Sequence, residues 1–350
     1  MTRHYRTLDG LRGIAAIAVV CMHSVAFFGT VQLPHAYLAV DLFFALSGLV
    51  IAHAYGAKLD AGMGTGAFMT MRLVRLYPLY LLGTAIGIAF FVVATKGGIE
   101  EGLTPAQTAT AVAASLLMLP SPIQIGTHHW LTPFNFAGWS LMFELGVNLL
   151  MALVWRWLRL PFLAGLILFS GVWLIWWTMT TGHVDVGASL DTMANGVPRT
   201  LFSFFVGVAL YHVRRGAPIV TGWAWALPIA LIPLFAVPRG IGPWFDLLCV
   251  LLLFPIVIEL GARIEPVKPG PFAWLGLISF AIYALHSPLL PIADTAMKLA
   301  GIPHESVAPW GGIVLVCGLI VTAILADLWY DRPVRRWLGR LAGTPRSAAS

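Results

Sequence analysis

Apolar segments about twenty residues long recur from one end of this 350-residue chain to the other, and that feature decides what it can fold into. Within a bilayer every backbone N–H and C=O must be satisfied internally, so long uncharged segments have to be helices. Hydropathy and breaker residues put such segments near 12–30, 37–56, 76–95, 138–155, 161–180, 195–212, 219–237, 244–261, 272–293 and 309–331. Only 10% of residues are charged, against roughly a quarter in soluble domains. The sequence therefore predicts an all-α polytopic membrane protein of about ten transmembrane helices. Residues 1–335 form one transmembrane domain, and 336–350 a short basic cytoplasmic tail.

One further apolar run, Ala106 to Leu119, is about fourteen residues long, too short to span comfortably. Loop charge decides its status. If it does not cross, Lys58, Arg72, Arg75, Arg156, Arg159, Arg214, Arg215, Arg263 and Lys268 share one side with the N-terminus. If it does, every later basic loop flips. The excess of Lys and Arg in cytoplasmic loops favours ten spans, both termini cytoplasmic, and a re-entrant or interfacial helix at 106–119. The expected location is the plasma (inner) membrane. The net charge of +6 reads as this loop bias, with a site for an anionic ligand as a second source. Nucleic-acid binding is not expected, because no soluble domain carries a basic face. The basic start, with Arg3 and Arg6, resembles a signal peptide, but no convincing small-x-small site follows, so cleavage is not expected. Pro333 to Leu341 reads as a short interfacial helix and Thr344 to Ser350 as disordered.

Ionisable residues within the apolar segments are the candidates for chemistry, because such groups are costly in a bilayer and face the bundle interior. Arg12 and His23 lie eleven positions apart, on one helix face about 16 Å apart along the axis. That puts the arginine at one boundary and the histidine near mid-depth. A hydrogen-bonded histidine in an anchoring helix is the plainer explanation. Asp41, Glu144 and His286 are expected at a similar level in the outer half of the bilayer, which suggests one buried polar site. Arg72 and Arg75, at i and i+3, share a face at the cytoplasmic lip of the third span, where guanidinium groups can grip phosphate bidentately. Ser47–Gly48 permits close helix packing. Cys21, Cys249 and Cys317 lack metal-ligand spacing, and His128–His129–Trp130 lacks a third ligand, so no metal is expected.

The ordered set Leu8-Asp9-Gly10-Leu11-Arg12-Gly13 with His23, Asp41-Leu42-Phe43-Phe44 through Ser47-Gly48, Arg72-x-x-Arg75-Leu76-Tyr77-Pro78, Trp139-Ser140-Leu141-x-x-Glu144, Tyr283-x-x-His286-x-Pro288 and Arg332-Pro333 resembles the acyltransferase-3 family. The likeness covers nearly the whole chain. It implies a membrane O-acyltransferase with a cytoplasmic acyl-CoA donor, usually acetyl-CoA, and a glycan or other sugar-containing acceptor at the far face. Membrane lipid is the other expected partner, and oligomeric state is open. By the same resemblance, Arg12 and His23 form the essential Arg-x10-His pair, and Arg72 and Arg75 belong to the donor. Some members append an extracytoplasmic esterase-like domain; this chain is expected to stand alone.

The catalytic candidates are therefore His23, Arg12, Glu144, Asp41 and His286, and the donor-binding candidates Arg72, Arg75 and Arg12. In this reading Glu144, Asp41 or His286 orients His23, the general base. Gly10, Gly13, Ala16 and Gly48 are expected to line a passage for the donor's arm. The rival reading is a proton-coupled lipid or glycan transporter that uses the same buried groups as a relay. Acyl-CoA dependence separates the two.

Overall fold

The computed structural model describes residues 4–100, 102–214 and 216–342. Arg3, Arg215 and the expected disorder of Thr344 to Ser350 lie outside the described residues. Eight helices among those described are long and apolar enough to cross a membrane. They are α2 (Ala36–Asp60), α3 (Thr65–Lys96), α5 (Gly138–Trp157), α6 (Leu160–Thr181), α7 (Leu190–Val213), α9 (Pro243–Arg263), α10 (Gly270–Leu299) and α11 (Trp310–Leu341). The other two expected spans coincide with α1 (Arg6–His23) and the shorter apolar segment α8 (Gly222–Phe235). The chain is thus an all-α polytopic membrane protein. Pro333 to Leu341 is helical and forms the end of α11.

One further helix, α4 (Pro105–Leu116), is about 18 Å long, well short of a hydrocarbon core. A Thr104–Gln107 capping box and Pro105 in the first turn start it. Tyr77 and Tyr80, one turn apart on α3, donate to the Leu116 and Ser115 carbonyls at 2.6 Å and hold its free end against α3.

Helix α1 is the axis of the bundle. It runs parallel to α10 and in constant register: Gly10 faces Phe272, Gly13 faces Leu275, and His23 meets His286. Small residues make this close approach possible, since a Cβ on Gly10 or Gly13 would lie 2.6 Å from Phe272 or 2.5 Å from Leu275. Its N-terminus is tied by Thr7 Oγ1, which donates to the Ile264 carbonyl at 2.6 Å. The same small-residue packing joins α2 to α7, where Gly48 and Gly207 each sit directly on a carbonyl of the other helix, Phe204 and Ala45. Gly10, Gly13, Ala16 and Gly48 therefore do not line a passage. All four are buried helix-packing positions.

Candidate active site

His23 is the last residue of α1, where the chain turns at Ser24 before one more helical turn at Val25–Phe28. The helix expected to continue to about residue 28 thus breaks at the histidine, which is exposed, while His286 is completely buried. His23 Nδ1 and His286 Nε2 are 3.0 Å apart. His286 Nδ1 lies 2.8 Å from the Tyr283 carbonyl and 3.3 Å from that of Ile282. Carbonyl oxygens only accept, so His286 Nδ1 carries a proton and, in the neutral ring, His286 Nε2 is the acceptor. His23 Nδ1–H must then be the donor to His286, which leaves the lone pair on His23 Nε2. The backbone of α10 thereby sets the tautomer of both rings, and the outer ring is a proton acceptor at an accessible position.

About 16 Å along α1 from His23, Arg12 borders a half-open cavity of about 190 Å³ together with Arg72, Arg75, Glu144, Ser47 and Tyr283. Three guanidiniums against one carboxylate leave its lining net positive. Arg72 is buried and donates from Nη2 to Glu144 Oε1 at 2.9 Å, while its Nε has no hydrogen-bond partner. Glu144 Oε1 also accepts from Ser47 Oγ at 2.7 Å. Arg75 lies over the Phe280 ring and 3.8 Å from Asp331, which is held in turn by Arg335 at 2.8 Å. Asp9 lies 3.9 Å from Arg12. The remaining wall is largely apolar. Tyr283 stands between this cavity and the histidines: its hydroxyl is 2.6 Å from Ser140 Oγ, and its ring centroid is 5.7 Å from that of His286.

The two carboxylates expected near His23 are elsewhere. Glu144 sits among the arginines, because Arg72, low on α3, reaches it first. Asp41 is fully buried and grips Arg199, whose Nε is 2.9 Å from both carboxylate oxygens and whose Nη2 is 2.8 Å from Oδ2. Arg199 also donates to the Val186 and Tyr37 carbonyls and lies over the Trp139 ring. With four of its five guanidinium N–H groups engaged, this buried ion pair is a structural node. The single polar site expected from depth alone is therefore three sites: a histidine pair, an arginine–glutamate cavity and a buried Asp–Arg tie. Sequence reasoning passed over Arg199 and Asp246, although each interrupts an apolar span, the same signal that singled out Asp41.

No group of His, Cys, Asp and Glu among the described residues is arranged to hold a metal ion. His129 is 3.5 Å from Asp191, and His128 stacks on Trp130.

A family model described as an acyltransferase domain matches residues 5–327. "Protein 2 in picA locus" of Rhizobium radiobacter is 43% identical over 158 residues, which is 43% of this chain and 80% of that protein. No solved structure matches. With the match running from the start of α1 into α11, the chain belongs to the acyltransferase-3 family of membrane acyltransferases.

Proposed function

We propose that the chain moves an acyl group, acetyl in the simplest case, from cytoplasmic acyl-CoA to a hydroxyl of an extracytoplasmic glycan or other sugar-containing acceptor. The observation that carries this reading is the fixed tautomer chain from the Tyr283 carbonyl through His286 to His23 Nε2. Here His23 Nε2 takes the proton of the acceptor hydroxyl as its oxygen attacks the thioester carbonyl carbon. The C–S bond then breaks, and the proton passes to the departing thiolate, leaving an ester and free coenzyme A. His286 is a positioning residue that holds the outer ring and shares the charge it gains.

Arg12, Arg72 and Arg75 form the anion clamp for coenzyme A, supported by the net positive cavity and the unpartnered Arg72 Nε. Glu144 and Ser47 aim Arg72. The clamp and His23 are separated along α1 by a length comparable to the extended pantetheine arm, which passes Tyr283 and Ser140. In this reading the protein lies in the plasma membrane with both termini, and the arginine end of the bundle, in the cytoplasm, a topology that the loop-charge bias supports.

The test uses purified protein with acetyl-CoA, acceptor glycan and a thiol reagent. Free thiol and acylated glycan should appear in equal amounts, and neither with His23→Ala. A protein that turns over no acyl-CoA while moving lipid or glycan across vesicles would be a transporter.

A further inference from the structure

A second polar cavity, of about 280 Å³, opens between the α1–α2 connection, the turn after α6 and the turn before α9. Its end of the bundle is that of His23. Gly10 of α1 faces Pro228 at the start of α8, and the Phe235 carbonyl at the end of α8 accepts from the His35 backbone N–H. The two helices thus run parallel toward one face, and the cavity lies where both terminate.

The floor is Asp246, 2% exposed. Both its oxygens accept from the Tyr37 hydroxyl, at 2.7 and 2.9 Å, and Oδ2 also accepts from Val184 N–H at 2.9 Å. His35, 3% exposed, donates from Nδ1 to the Val237 carbonyl at 2.7 Å, so in the neutral ring Nε2 is an acceptor. That Nε2 stops 3.8 Å from Asp246 Oδ1, beyond hydrogen-bond reach. His35 Nε2 has no donor among the described residues and Asp246 Oδ1 has one, so both can accept a further donor from outside. At the rim, Arg239 and His183 add donors and Asp185 another acceptor, with Arg239 3.9 Å from Asp185 and over the Tyr37 ring. Gly182, Gly240 and Gly242 make the surrounding turns at positive φ, and a Cβ on any of them would meet only open space. No side chain at those positions closes the mouth. Behind the floor, the Tyr37 carbonyl accepts from Arg199, which ties the cavity to the buried Asp41–Arg199 pair.

We infer that this cavity binds one neutral sugar unit. Neighbouring hydroxyls on a pyranose ring can donate one proton each to His35 Nε2 and Asp246, while other ring oxygens accept from Arg239 or His183. Two carboxylates against one guanidinium disfavour an anionic sugar. Resting on the proposed acyl transfer, the cavity is a subsite for a glycan unit beyond the one acylated at His23, and it selects the acceptor.

The test is saturation-transfer NMR on the full chain in detergent with the methyl glycosides of glucose, galactose, mannose and N-acetylglucosamine. Methyl glucuronide is the anionic comparator. At least one neutral glycoside should give signal with the wild type and equally with His23→Ala, and the glucuronide less. Arg239→Gln and Asp185→Asn change exposed rim residues and should each weaken binding about fivefold, the loss of one hydrogen bond. His35→Phe, checked for unaltered melting, should abolish it. Silence from all four glycosides, or full signal in the Arg239→Gln/Asp185→Asn double variant, would overturn the assignment. Glycoside signal without thiol release from acetyl-CoA would refute acyl transfer and keep the site. Thiol release without glycoside signal would do the reverse.

Discussion

His23 Nδ1 lies 3.0 Å from His286 Nε2, with the two rings 12° from parallel and the inner one fixed by the backbone carbonyl of Tyr283. A general base typically contributes about 100- to 10,000-fold, so His23→Ala should cut turnover by that range with acyl-CoA affinity unchanged. His286→Ala should cost less, and His286→Gln less again, because a glutamine carbonyl can still accept from His23 Nδ1. Comparing kcat for the three purified variants checks the order; equal losses for the alanine and glutamine variants would contradict the orienting role.

Arg72→Lys keeps the charge but loses the planar fork that faces Glu144. A hydrogen bond to a charged group is worth about 1.5–3 kcal/mol, so KM for acyl-CoA should rise roughly 10- to 100-fold. Glu144→Gln should act on the same constant, since Glu144 aims Arg72 rather than His23. A change confined to the pH profile would return Glu144 to the histidines.

Breaking the buried Asp41–Arg199 pair from one side leaves an uncompensated charge, costing about 3–5 kcal/mol. Asp41→Leu should therefore lower the melting temperature sharply in detergent. The double variant Asp41→Leu/Arg199→Met should recover much of the loss. A folded, inactive Asp41→Leu protein with wild-type melting would mean that Asp41 acts in the chemistry.

Gly48→Ala and Gly207→Ala each put a methyl group onto a backbone carbonyl of the partner helix. Overpacking of this kind costs about 1–3 kcal/mol, so both should reduce stability and yield of folded protein. Gly66→Ala, with nothing near it, is the neutral control. Thermal unfolding of the three distinguishes packing from a blocked passage, which would leave stability intact.

Cysteine-accessibility labelling should reach residues 97–137 from outside, and 158–159 and 216–218 only from the cytoplasm. Outside labelling at 158–159 would require α4 to span, which its length opposes.

Segment length and loop charge determined the class of fold, because a bilayer admits only internally hydrogen-bonded helices and those need about twenty residues each. The short α4 was legible for the same reason. So were Arg12, Arg72 and Arg75 as a set, since helical spacing places residues along an axis. What spacing cannot supply is which faces meet. Depth alone put Asp41 and Glu144 beside His23, yet partners are set by the crossing of helices distant in sequence: α2 on α7 gives Asp41 to Arg199, and α3 on α5 gives Glu144 to Arg72. The small residues that read as a passage are surfaces where helices meet, Gly10 and Gly13 of α1 on α10 and Gly48 of α2 on α7. The parallel register of α1 on α10, through Gly13 on Leu275, is what brings His23 to His286. A tertiary contact thus makes the proton acceptor, from two histidines that the sequence could name but not pair.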